Sequence, residues 1–266
     1  MPFLSRPACE LYYETHGSGP PLVFAHGLGG NHLSWWQQLP HFRDRYTCVV
    51  FAHRGFSPSR EGHGGPGPQA FVEDLAALID HLGYTDVRLV AQSMGGWTCL
   101  GYALRAPARV RALVMASTTG SLSAPETEAI FAEHRTANPE AALVARGIHP
   151  ACGERLAREQ PALHTLYRGL DALSVELDKS ALRRSLGALR TTPSAAVAAL
   201  ETPVLCITGE EDVVIPSAAV AALARILPRA RLCRVAGAGH SVYWERPRTF
   251  NQLVQDFLAA VEPASA

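Results

Sequence analysis

Residues Leu89–Trp97 read LVAQSMGGW. Ser93 follows the apolar run Val87–Ala91 closely and precedes a helix-like stretch, Gly95–Leu104. A strand that turns sharply into a helix at a serine holds the hydroxyl up at the carboxyl end of a sheet. That is the end where open α/β sheets bind ligands. The turn crowds backbone atoms, so the positions two before and two after the serine must be small. Gly95 satisfies the second of these, and Ala91 stands where glycine is usual. One extra methyl is the smallest departure. The stretch alone does not separate a nucleophile from a capping or surface serine, and the rest of the chain has to decide. If Ser93 is the nucleophile, its backbone is strained and its hydroxyl points toward a base.

Outward from Ser93, short apolar runs recur between turn residues: Leu22–Ala25, Thr47–Phe51, Val87–Ala91, Ala112–Met115, Pro203–Thr208 and Arg231–Val235. Runs of this length, rich in Val, Leu and Ile, fit strands buried on both faces, as in a parallel sheet. Amphipathic stretches lie between several of them: Phe71–Leu82, Ser217–Leu227 and Thr249–Val261. The alternation predicts an α/β fold, a doubly wound and mostly parallel sheet flanked by helices. Glu10–Thr15, followed by HGSGPP, reads as part of an antiparallel edge hairpin, and Glu61–Pro68 as a loop. From about Ser121 to Leu200 the strand signal disappears. That region predicts an all-helical insertion of about four helices, the first opened by Ser123 as cap with Pro125 early in the helix. The expected organisation is a core from residues 1–120 and 200–266 with a helical cap over 121–199.

At 266 residues the chain fits one large domain, or one domain with an insertion. Hydrophobic residues at 47% and charged ones at 18% predict a globule with a sizeable core. Basic and acidic residues balance at 24 each, so no nucleic-acid or membrane partner is expected. No run of about 18 apolar residues is present, and the first residues lack a leader-like apolar stretch. The six cysteines are scattered with no CxxC, and Cys48, Cys206 and Cys233 lie in strand-like runs as free thiols. This pattern fits a reducing, cytoplasmic compartment. No Cys/His spacing fits a metal, and no cofactor is expected. Oligomeric state is left open, including a homo-oligomer.

A serine hydroxyl needs a base. With eleven histidines in the chain, position has to choose it. His240, in VAGAGHSVYWERP, follows the last strand-like run and precedes the final helix, which puts it in a loop at the same sheet edge. A histidine base works better with a carboxylate on its other nitrogen. TGEEDVVIP offers Glu210, Glu211 and Asp212 after the preceding run. Spacing does not choose among them, but Asp212 lies deepest, beside Val213–Ile215. FAHGLGGNH ends another strand-like run in a glycine-rich turn. The backbone N–H groups of Leu28 and Met94 are the candidate donors to an oxyanion, each worth roughly 2.7–4 kcal/mol in the transition state. A phosphate loop is disfavoured by the missing GK[ST] and GxGxxG patterns.

HGLGG, HRGFSPS, QSMGGW, GEEDVVIP and GAGHSVYWERP, in that order, resemble the α/β-hydrolase superfamily over about Glu10–Gly120 and Leu200–Leu258. The resemblance is strongest to its capped esterase, enol-lactonase and C–C hydrolase branches. It implies Ser93 as nucleophile, His240 as base, Asp212 as acid and a lid over Ser121–Ala199. Three positions depart from the family pattern: Ala91 at the elbow, Ala52 where aspartate is common, and Ser57 in place of a glycine. Gly27, His32, Trp35, Trp97, Val214 and Tyr243 are candidate pocket residues, and His26 reads as a loop brace. The arginines of the insertion read as a solvated helix face, with one of them a candidate for a substrate carboxylate, as in lids of the C–C hydrolase branch. The expected reaction is cleavage of a small to medium ester or lactone through an acyl-enzyme. Alternatives are C–C cleavage of a vinylogous diketone, a cofactor-free perhydrolase, and a low-turnover ligand-binding protein on the same scaffold.

Overall fold

A computed structural model of the chain describes residues 2–261. Its strands are β1 (Phe3–Arg6), β2 (Cys9–His16), β3 (Pro21–Ala25), β4 (Thr47–Phe51), β5 (Arg60–Glu61), β6 (Val87–Gln92), β7 (Val110–Ala116), β8 (Leu122–Ser123), β9 (Thr192–Pro193), β10 (Val204–Gly209) and β11 (Ala230–Val235). The main sheet runs β1-β2-β4-β3-β6-β7-β10-β11, with β5 paired to β2. Ladders from β4 through β11 are parallel, whereas β1, β2 and β5 pair antiparallel. The predicted strands thus form, in the predicted type of sheet. Every residue of β6 and β10 is buried, which is why both read as mostly apolar runs, with Arg88 a buried charge inside β6.

The helices are α1 (Leu39–Phe42), α2 (Phe71–His81), α3 (Gly95–Arg105), α4 (Pro125–Ala137), α5 (Pro139–Ala145), α6 (Gly153–Glu159), α7 (Pro161–Ala172), α8 (Lys179–Ala188), α9 (Ser194–Ala198), α10 (Ser217–Ile226), α11 (Val242–Glu245) and α12 (Pro247–Val261). One face of the sheet packs with Leu75, Leu78 and Ile79 of α2, Cys99 and Leu100 of α3 and Val220 and Leu223 of α10. The other packs with Phe42, Tyr243, Trp244, Phe250, Val254 and Leu258.

The segment between β7 and β10 departs from the sequence reading in two ways. It holds six helices, α4 to α9, where about four are expected, and it is not all helix. Residues 122–123 pair with 192–193 in a two-residue parallel ladder that ties the two ends of the segment together. Proline opens α4, α5 and α7 at their first positions and so divides one periodic stretch into several short helices. The cap of α4 is Ala124, not Ser123. The Ser123 hydroxyl instead donates to Glu128 Oε1 at 2.6 Å. Among the described residues all six cysteines are unpaired, and no helix is long and apolar enough to cross a membrane.

Candidate active site

Loops following β3, β4, β6, β10 and β11 leave the parallel strands at one edge of the sheet. Ser93 stands at the β6–α3 turn with φ +50°, a conformation that costs a non-glycine residue roughly 1–3 kcal/mol. Its N–H donates to Ala116 O at 2.9 Å, and its carbonyl accepts from Gly96 N at 2.9 Å. A Cβ on Gly95 would lie 2.2 Å from the carbonyl oxygen of Ala25, so this position admits only glycine. Ala91 pairs with Ala25 on β3, a residue equally small, and both are fully buried. The methyl that departs from the usual elbow therefore sits beside another methyl. The hydroxyl of Ser93 forms no hydrogen bond among the described residues, and the expected bond to a base is not made. Such bonds often tighten only when substrate is bound.

His240, 3% exposed, faces Asp212. Its Nδ1 lies 2.9 Å from Asp212 Oδ2 and 3.1 Å from Oδ1. Asp212 Oδ1 also accepts from the N–H groups of Val214 and Ile215 at 2.8 and 2.9 Å. Three donors converge on a side chain with no exposed surface, which fixes its orientation. Glu211 turns away to Arg155 of α6, and Glu210 is exposed. The ambiguity among the three carboxylates is thereby resolved in favour of contact between Asp212 and His240. Nε2 of His240 takes part in no hydrogen bond among the described residues.

The turn after β3 closes with Gly30 N donating to Gly27 O at 3.1 Å. A Cβ on Gly27 would meet Ser93 Cβ at 3.1 Å and Gln92 Oε1 at 2.0 Å, so this turn touches the elbow. Gln92 Nε2 in turn reaches His240 O at 3.4 Å. The N–H groups of Leu28 and Met94 donate to nothing among the described residues, as expected for Met94 at the start of α3. His26 Nδ1 donates to Gly27 O at 2.8 Å, and its Nε2 accepts from His53 N at 2.9 Å. His53 Nε2 continues to Thr98 Oγ1 of α3 at 2.9 Å. Burial pushes the His26 imidazole down to about 3 and that of His53 well below its ordinary value. Both rings are neutral struts. The two departures in the loop after β4 are backbone anchors: Ala52 O accepts from Ser59 Oγ at 2.7 Å, and Ser57 N donates to Ser174 Oγ at 3.1 Å.

Leu28, Met94 and Trp97 join an apolar cluster with Phe56, Phe71, Leu177, Leu182 and Leu186. Trp97 Nε1 donates to Leu186 O at 3.0 Å. The Arg190 guanidinium lies between the rings of Trp97 and Phe131, 4.6 and 4.2 Å from their centroids. It donates to Thr119 Oγ1 at 2.6 Å and has no carboxylate partner among the described residues. Burial, with Arg135 nearby, lowers its pKa to about 10. A surface hollow of about 350 Å³ between the 55–60 loop and residues 173–177 shares Leu177 with this cluster.

Three of the expected pocket residues lie elsewhere. Trp35 is fully buried in the core between Phe24 and Tyr243. Tyr243 is also buried, its ring against Trp35 and Phe250. His32 packs edge-on to Tyr12, 3.6 Å from Glu14. In each case a short helical turn points the side chain back into the sheet layers. Gly27 touches the elbow, and half-buried Val214 belongs to the acid loop.

Glu245 is a residue the sequence does not reveal. Only 2% exposed, it accepts from Gly239 N at 2.9 Å and Ser241 N at 3.1 Å, the amides on either side of His240. Burial, with Asp212 nearby, pushes its carboxyl up to about 8 despite those two donors. Its offset of five residues from His240 is the only trace in the sequence. Among the described residues no group of His, Cys, Asp and Glu could hold a metal ion.

The sequence pattern of the family described as alpha/beta hydrolase fold matches residues 20–247. The 2-(acetamidomethylene)succinate hydrolase of Mesorhizobium japonicum is 27% identical over 94% of this chain and 92% of its own. Among solved structures, Est816, described as an N-acyl homoserine lactone degrading enzyme, superposes with a TM-score of 0.78 at 25% identity, covering 96% of this chain and all of its own. A hydrolase from Pseudomonas aeruginosa PA01 superposes at 0.77 with 26% identity, covering 97% of each chain.

Proposed function

The chain belongs to the α/β-hydrolase fold family, and on that premise we propose that it is a serine hydrolase of a small to medium carboxylic ester or lactone. The observation that carries the reading is the Asp212–His240 contact with Nε2 left free, at the same edge as a serine held at φ +50°. In the reaction His240 Nε2 takes the Ser93 proton as Oγ attacks the carbonyl carbon. Asp212, acceptor at Nδ1, holds the tautomer and stabilises the imidazolium. The N–H groups of Leu28 and Met94 receive the developing oxyanion. The tetrahedral species collapses to an acyl-Ser93 as His240 returns its proton to the leaving oxygen. Water, deprotonated by His240, then releases the acid. The apolar cluster around Met94, Trp97 and Leu186 receives the acyl part, and residues 121–199 act as its cap.

The substrate carries a carboxylate. Arg190 supports this: a half-buried cation without an acidic partner stands over Trp97, one helical turn after Ser93. A relative named for a substituted succinate fits the same reading, while a lactone-degrading structural neighbour fits only the ester or lactone bond. Ser93→Ala abolishes turnover of p-nitrophenyl acyl esters while leaving the fold intact, and retained turnover by the pure variant refutes the assignment. Arg190→Gln raises KM about tenfold for a carboxylated ester but not for a neutral one. Equal KM changes for both esters refute the anionic substrate.

A further inference from the structure

The helices between β7 and β10 reach three loops of the site, each at the residue beside a candidate catalytic group. Arg155 of α6 donates through Nε to both oxygens of Glu211, at 3.0 and 3.1 Å, next to Asp212. Tyr167 of α7 is 3% exposed, and its hydroxyl accepts from Ser241 Oγ at 3.4 Å, next to His240. The same hydroxyl stands over the turn after β3. A Cβ on Gly29 would lie 3.0 Å from it and 3.2 Å from Asp171 Oδ1. Asp171, one helical turn further along α7, is fixed by Lys179 Nζ at 2.6 Å. Lys179 is the only lysine of the chain.

Two more hydroxyls meet there. That of Tyr243, also buried, faces those of Ser34, Tyr167 and Ser241, which oppose the burial that raises its pKa. Ser34 in turn accepts from Asn31 N at 3.1 Å, closing the turn that begins at Gly27. Ser34, Tyr243, Tyr167 and Ser241 therefore form a buried set of hydroxyls drawn from the Leu28 turn, α7 and the His240 loop. A hydroxyl donates and accepts at once, so such a set transmits position from one loop to the next.

We propose that Tyr167 is a positioning residue. Its phenol oxygen sets the separation between the turn bearing Leu28 and the loop bearing His240. The inserted helices thereby tune the geometry between oxyanion donor and base as well as cover the site. The inference rests on the reading of Ser93, His240 and Asp212 given above. A misplacement of about 1 Å in such a site costs up to about 100-fold in rate.

The test is Tyr167→Phe. The ring packs edge-on against Trp244 at 5.3 Å and tilted against His149 at 5.0 Å, and phenylalanine keeps both contacts. The expected result with p-nitrophenyl acetate is a fall in kcat of about tenfold, with KM within about twofold. The rate of Ser93 phosphonylation by a fluorophosphonate falls by the same factor. Ser241→Ala lowers kcat in the same direction, and the double variant loses less than the product of the two single effects. Wild-type kcat and phosphonylation rate in Tyr167→Phe overturn the proposal even if the variant melts lower, because that is what packing alone predicts. Multiplicative losses in the double variant overturn it too. If the wild-type chain is not phosphonylated at Ser93, the serine reading fails first and this inference falls with it.

Discussion

His26, just after β3, and His240, after β11, are both buried at the carboxyl edge of the same sheet. They differ in what is left of their rings. Both nitrogens of His26 are committed, Nδ1 to Gly27 O and Nε2 to His53 N, and no carboxylate faces it. His240 has Nδ1 on Asp212 and Nε2 on nothing. Burial therefore does not mark a base. A carboxylate on one nitrogen and a free second nitrogen do. One loop pair uses its histidines as neutral struts, and in the proposed mechanism the other keeps one poised to take a proton.

The largest effect that separates the two is on turnover. His240→Asn removes the proposed base and is expected to lower kcat about 10⁴-fold with little change in thermal midpoint. A loss below tenfold would erase the distinction. His26→Ala does the reverse. It strands the His53 N–H in the interior and opens a cavity, costing about 3 kcal/mol in urea unfolding. Stability equal to wild type would show that His26 is no strut.

The pH dependence of unfolding sharpens the contrast. The folded pKa values of His26 and His53 are depressed, so the folded state binds fewer protons than the unfolded one. Stability is full above about pH 6.5 and falls as pH drops from there toward 3. Glu245 has the opposite sign, its carboxyl raised to about 8. Its contribution is full below about pH 4.5 and is lost as pH rises through 8. Midpoints measured across pH should decline on both sides, and Glu245→Gln should flatten the alkaline side only. The smallest effect concerns the elbow. Ser93→Gly relieves the positive φ and should unfold about 1 kcal/mol later than Ser93→Ala, though both are inactive.

The sheet was legible because its parallel strands are buried on both faces. Thr47–Phe51 has the same limits in sequence and structure, and Val87–Gln92 extends its apolar run by one residue. The helices of 121–199 were less legible, since Pro125, Pro139 and Pro161 cut the periodic stretch into pieces whose number composition does not fix. Residues in short turns were least legible. Nothing in the pattern says whether Trp35 or Tyr243 points into the core or into a pocket, because a four-residue turn has no long-range periodicity to read. Asp212 could be favoured among three carboxylates by depth alone. Glu245 could not be seen, because its role exists only once the loop around His240 has closed on it.

In the proposed mechanism Ser93 is activated by His240 and Asp212. Incubation with a fluorophosphonate, followed by proteolysis and mass location of the adduct, tests it most directly. One adduct is expected, on Ser93, in the wild-type chain, and none in His240→Asn. An adduct on another serine, or ester hydrolysis that persists with Ser93 unmodified, would contradict it.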